Sequence, residues 1–93
     1  MKKTQTFIKR DISGESILIP TGDTARDFNG MITLQGIAGF IWDHIEEATS
    51  LEHLVDMITD EFDVDRKTAG SDAIFFIMQL LRAGMIRTTG KNW

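Results

Sequence analysis

The sequence predicts one α+β domain in which three helices cover one face of a three-stranded antiparallel sheet, and three observations carry that expectation. Short β-favourable segments fill the first 35 residues, the apolar period becomes helical from Gly36 onward, and 93 residues with 42% apolar content supply one hydrophobic core and no second. No repeat, low-complexity tract or linker interrupts the chain, so a single domain is expected over residues 1–93, with a core of about 7–86.

The first strand is expected at Phe7-Ile8-Lys9-Arg10-Asp11-Ile12, where apolar and charged residues mix as on a half-exposed strand. Ser13-Gly14 supplies turn chemistry before Glu15-Ser16-Ile17-Leu18-Ile19, which makes a hairpin, and Pro20 closes the second strand or sits on its outer side because it cannot donate to a ladder. A polar loop follows, ending at Asn29-Gly30. The third strand is Met31-Ile32-Thr33-Leu34-Gln35, with Ile32 and Leu34 on one face and Met31, Thr33 and Gln35 on the other.

Ala38, Ile41, Trp42 and Ile45 then recur at helical spacing, widened by Ile37 and Ala48, and predict an amphipathic helix over residues 37–48. Thr49-Ser50-Leu51-Glu52 fits a capping box, with Thr49 as cap and Glu52 reaching back. Leu51, Leu54, Val55 and Ile58 form the buried stripe of that second helix, which is expected to end near Phe62. Asp65 caps a third, longer helix whose core stripe is Ala69, Ala73, Phe76, Ile77, Leu80 and Leu81, and Gly84 stops it.

Composition removes whole classes of function. Zero cysteines exclude a disulfide scaffold, a Cys-ligated zinc site, an iron–sulfur cluster and a thiol nucleophile. Ten basic against 14 acidic residues, a net charge of −4, give no global attraction to nucleic acid or to an anionic membrane. No apolar run approaches the ~20 residues of a membrane span and none follows Met1-Lys2-Lys3, so the expectation is a cytoplasmic protein.

His44 and His53 fall on different helices without a third ligand at metal spacing, and read as solvated helix positions. Asp60, Glu61, Asp63 and Asp65 lack the glycine and closing glutamate of a calcium loop and read as solvation and capping. Gly30, Gly36 and Gly39 do not space as a phosphate cradle, and no carboxylate or histidine is forced into an apolar pocket beside a partner. An enzyme is the weakest reading, and neither metal nor cofactor is expected.

Charge is polarised along the chain. Nine acidic residues and no Lys or Arg lie between Asp43 and Asp65, whereas Arg66, Lys67, Arg82, Arg87 and Lys91 follow against the single acid Asp72. Solvated helix faces and a partner-steering field explain this equally well. The third helix also carries Ile74, Phe75 and Met78 outside its core stripe, more apolar circumference than one side of a small sheet covers. A deep core position, a homodimer face and a ligand groove are the three readings of that excess.

Gly14-Glu15 with Ile17-Leu18-Ile19-Pro20, then Asn29-Gly30-Met31-Ile32-Thr33-Leu34, Gly39-Phe40-Ile41-Trp42, Leu51-Glu52-His53-Leu54-Val55, Phe62-Asp63-Val64-Asp65 and Leu80-Leu81-Arg82-Ala83-Gly84 together resemble the PqqD-like family, roughly from Phe7 to Ile86. Gln35 and Gly36-Ile37-Ala38 depart from the family's pattern and bear on the cap of the first helix. The resemblance implies a winged-helix-like fold and a role as recognition element for a ribosomally made, post-translationally modified peptide. Such a domain holds the leader of the precursor peptide and presents it to a modifying enzyme, often a radical S-adenosylmethionine enzyme.

In the family the leader adds as a strand to the third strand and lies between it and the third helix. Carried over, the peptide-binding residues are Met31, Ile32, Thr33, Leu34 and Gln35 on the strand and Lys67, Gly70, Ser71, Ile74, Phe75 and Met78 on the helix. Edge backbone groups supply affinity and the apolar helix supplies pockets. Gly70 would permit close approach, Ile74 and Met78 would receive apolar side chains, and Lys67 would meet an acid, which implies an acidic leader whose binding falls with salt. Two other classes compete: a winged-helix DNA binder, opposed by the apolar middle of the third helix and its acidic neighbours, and a structural or homodimeric subunit.

Overall fold

The computed structural model describes residues 1–4, 6–13, 15–27 and 31–89. Gly14 of the expected hairpin turn and the loop end at Asn29-Gly30 lie outside the described residues. The elements in order are β1 (Lys2–Lys3), β2 (Phe7–Ile12), β3 (Glu15–Pro20), α1 (Thr24–Asp27), β4 (Ile32–Leu34), α2 (Ala38–His44), α3 (Leu51–Glu61), α4 (Arg66–Arg82) and β5 (Ile86–Arg87). The three-stranded sheet, antiparallel in the order β2-β3-β4 with α2, α3 and α4 after it, is the α+β fold expected from the sequence.

The sequence reading missed two features. β1 pairs antiparallel with β5 through Lys2↔Arg87 and Lys3↔Ile86, and Thr4 N–H extends the pairing to the Met85 carbonyl at 2.9 Å. Strands of two residues carry no alternation to read, and their partners are remote in sequence. β1 is also tied to α2: Lys3 N–H donates to Glu46 Oε2 at 3.1 Å, and its Nζ sits 4.4 Å from the Trp42 ring centroid. The second feature is α1, a single turn in the polar loop, whose buried Thr24 accepts the Thr6 N–H on Oγ1 at 2.9 Å.

The pairing register orders both faces of the sheet. β2 and β3 pair from Phe7↔Pro20 to Ile12↔Glu15, and β3 and β4 from Ser16↔Leu34 to Leu18↔Ile32. Directly opposed residues point the same way, so Phe7, Leu18, Ile32 and Leu34 share the face that meets the helices. Leu18 is fully buried, and Phe7 meets Trp42 of α2 edge to face with centroids 5.7 Å apart. Gly39 lets α2 come this close, because a Cβ there would lie 2.8 Å from Ser16 Oγ on β3.

The helix ends refine the sequence reading. α2 starts at Ile37, which has no side chain able to cap, and the Gln35 carbonyl takes the Ala38 N–H at 3.1 Å instead. Its regular part ends at His44, short of the expected residue 48, although Ala48 N–H still reaches the His44 carbonyl at 3.0 Å. The cap of α3 is Ser50, one residue after the expected Thr49: Ser50 Oγ accepts from His53 N–H at 3.0 Å, and His53 Nδ1 accepts from Thr49 N–H at 3.0 Å. His53 thus takes the part expected of Glu52.

In α4, Asp65 caps as expected, accepting Thr68 N–H at 2.6 Å, which holds its carboxyl below the usual carboxylate range. Gly84, at φ +73°, ends the helix in a Schellman motif: Gly84 N–H donates to the Leu81 carbonyl and Met85 N–H to the Leu80 carbonyl, while Met85 and Leu80 are both buried. Ala69, Ala73, Ile77 and Leu80 form the buried stripe. Leu81, expected in that stripe, is 37% exposed, because it lies on the helix flank that continues Ile74 and Met78.

Candidate functional site

The hydrogen-bonding sides of the three strands follow from one contact and strict alternation. Thr21 N–H donates to the Thr6 carbonyl at 3.1 Å, which puts the Thr6–Thr21 position on the hydrogen-bonding side of the hairpin, and by alternation those of Ile8–Ile19 and Arg10–Ile17 with it. Residues 16, 18 and 20 of β3 therefore turn their backbone groups toward β4. Pro20, with no N–H to give, falls on that side beyond the last β3–β4 pair, Leu18↔Ile32. On β4 it follows that Ile32 and Leu34 bond to β3, whereas Met31, Thr33 and Gln35 turn theirs outward. β4 is an edge of the sheet, so these outward groups have no strand partner among the described residues.

Beneath this edge runs a groove of about 580 Å³ between β4, the turn into α2, and α4. Ile32, Leu34, Ile37, Ile41, Phe76 and Leu80 supply apolar walls, and Phe75, 67% exposed, stands in the groove with its ring available. Thr33, Gln35 and Gln79 contribute neutral polar groups, and among the described residues Asp72 is the sole charged one of the lining. Gly36, at φ +60°, makes the turn that brings the start of α2 against the groove.

Of the residues singled out from the sequence, Ile32, Thr33, Leu34, Gln35 and Phe75 come together on the groove. Met31 adjoins it in sequence and is 65% exposed. Lys67, Gly70, Ser71, Ile74 and Met78 are outside the lining: they follow the opposite flank of α4, where a Cβ on Gly70 would lie 3.9 Å from Val55 Cγ2 of α3. Sequence reasoning passed over Asp72, Phe76 and Gln79; their spacing from Phe75, at −3, +1 and +4, was the available signal. The groove's charge also differs from the basic surface expected, since neither Lys67 nor Arg82 lines it and Arg66 is engaged by Asp56 at 2.5 Å.

Outside the groove several ionisable groups have structural occupations. Lys9 Nζ lies 2.6 Å from Asp43 Oδ2 and 3.7 Å from Asp11 Oδ1; the Asp43 hydrogen bond is the main cause of its raised pKa. His44 is half-buried against Phe40, centroids 4.2 Å apart, with Nδ1 3.3 Å from Glu47 Oε2 at an angle that makes no hydrogen bond. Among the described residues no three His, Asp or Glu side chains gather as metal ligands, and no helix is long and apolar enough to cross a membrane.

Three antiparallel strands with a free edge, backed by helices that leave an apolar groove beside it, define a winged-helix-like α+β domain. The chain belongs to the PqqD family: the model described as coenzyme PQQ synthesis protein D matches residues 15–86. No curated protein matches the chain. Among solved structures it is similar to TbiB1 in complex with the TbiA(beta) leader peptide, with 24% identity and a TM-score of 0.69 over 98% of this chain and all of that one.

Proposed function

We propose that this protein binds the leader region of a ribosomally synthesised, post-translationally modified peptide by strand addition to β4, and presents it to a modifying enzyme. The observation that carries this reading is the outward edge of Met31 and Thr33, which has no strand partner among the described residues and lies directly above an apolar groove, continued by the N–H of Gln35, whose carbonyl is taken by Ala38. Edge groups bond any extended backbone, and alternate side chains of the guest face the groove, where Ile32, Leu34, Phe75 and Phe76 receive them. Family membership, and the leader peptide bound by TbiB1 on the same fold, support the assignment.

The domain supplies binding and orientation, and the chemistry belongs to the enzyme that receives the leader, a radical S-adenosylmethionine enzyme in this reading. Its site of action is the cytoplasm, where precursor peptides are made. Lys67, Gly70, Ser71, Ile74 and Met78 belong to the peptide site only if the guest wraps over α4; otherwise this flank, with Ile74 and Met78 each 45% exposed, suits the modifying enzyme or a second copy of the chain.

The test is to titrate leader peptides encoded beside this gene into the isotope-labelled protein and follow backbone amides. Saturable shifts at Met31, Thr33, Gln35 and Phe75 are the expected result. Unmoved amides at those positions, with and without the neighbouring enzyme, would overturn the reading. Size-exclusion chromatography of the free protein separates a monomeric binder from a homodimer.

A further inference from the structure

We infer that the groove selects an extended peptide that places a basic side chain opposite Asp72, so that Asp72 is a specificity-determining residue of this site. The inference rests on the strand-addition reading and adds the charge of the guest. Among the described residues Asp72 is the sole charge in a lining otherwise apolar or neutral, and it is exposed. Among the described residues it has no ion-pair partner: its helical neighbours at three and four residues are Thr68, Ala69, Phe75 and Phe76, and Arg66, the nearest arginine in sequence, is held by Asp56.

Phe75 lies one turn beyond Asp72 on the same lining, with most of its ring exposed. A guest lysine or arginine can therefore lay its aliphatic stem along the ring and bring its charged end to the Asp72 carboxylate, gaining both an ion pair and a cation–π contact. A guest glutamate at that position meets a like charge. The field of the whole molecule acts in the same direction, since the net charge is −4 and the segment from Asp43 to Asp65 carries nine acids and no Lys or Arg. The guest is thus a peptide with apolar residues at alternate positions and Lys or Arg at one groove-facing position.

The experiment uses short synthetic strand-forming peptides with leucine at alternate positions and a single Lys, Gln or Glu moved through the groove-facing sites. Each is titrated into the full chain, as wild type, Asp72→Asn and Asp72→Lys, and read by affinity and by the Thr33 amide. For wild type the best Lys peptide binds up to about fivefold tighter than its Gln counterpart, the range of an exposed ion pair, and Glu binds weaker than Gln. The order flattens in Asp72→Asn and inverts in Asp72→Lys, and added salt narrows it.

A charge order that is unchanged in Asp72→Lys overturns the inference while leaving strand addition standing. Failure of every peptide to move the Thr33 amide removes the strand-addition reading, and this inference with it. Asp72 is exposed, so both variants are expected to melt with the wild type, and a melting curve on each confirms that the binding data report on folded protein.

Discussion

Replacing Thr33 with proline tests the free edge at a single atom. Alternation from the Thr6–Thr21 bond turns the Thr33 N–H away from β3, so the β3–β4 ladder, carried by Ile32 and Leu34, does not need it. Thr33 is exposed, and its neighbour Ile32 is already extended, the conformation a following proline requires. Thr33→Pro is therefore expected to fold with a stability within about 1 kcal/mol of wild type, as edge prolines generally do. For an added strand the loss is larger: one hydrogen bond worth ~1 kcal/mol, plus ~1–3 kcal/mol for the guest carbonyl left unpaired. Together these weaken leader binding about thirtyfold or more.

Urea melts of Thr33→Pro and titration calorimetry with the leader peptide read the two effects separately. Leu34→Pro, which removes an inward N–H and a buried side chain, is the comparison and is expected to lose at least ~3 kcal/mol. Thr33→Pro as unstable as Leu34→Pro would show that the edge assignment is inverted. Thr33→Pro folded and binding like wild type would show that the guest does not pair with this edge.

Phe75→Ala is expected to weaken leader binding by about 1–3 kcal/mol in calorimetry while leaving the melting temperature nearly unchanged, because the ring is 67% exposed. Ser50→Ala removes the α3 cap and should cost about 1 kcal/mol in a urea melt, with peptide affinity retained. Gly39→Val drives side-chain atoms into Ser16 and should destabilise by about 1–3 kcal/mol, with Ser16→Gly in the same chain recovering part of the loss. Asp65 has a depressed folded-state pKa, so its contribution is present at neutral pH and disappears as pH falls through that folded value; Asp65→Ala should flatten the acid limb of stability against pH measured by urea midpoints.

The most legible parts of this fold are those fixed by neighbours in sequence. Asp65 caps α4 and Gly84 ends it because each acts on residues within one turn, and the hairpin turns at Ser13, at φ +52°, between two matched segments. The α3 cap slipped by one residue because Thr49 and Ser50 are both competent acceptors, and a histidine three residues on completed the alternative. The groove was half legible. Periodicity identifies Ala69, Ala73 and Ile77 as core, but the two flanks of α4 are both apolar, one with Phe75 and Phe76 and the other with Ile74, Met78 and Leu81. Which flank faces the strand depends on how the sheet twists beneath the helix, a property of the packed layers that no local spacing encodes.

The β1–β5 pairing brings the two ends of the described chain together, with the Met1 amino group donating to Thr89 Oγ1 at 3.3 Å. The groove, in contrast, is built from residues 32–41 and 72–85, well inside that clasp. Entry and exit at one point make this domain a cassette: spliced between two segments of a larger polypeptide, or closed by a short linker and reopened at the Ser13 turn, it keeps its reading surface without asking the host chain to stretch. On the strand-addition reading, a module wired this way moves onto a modifying enzyme as a single unit, and the geometry that would deliver the guest is then set by where the clasp is attached.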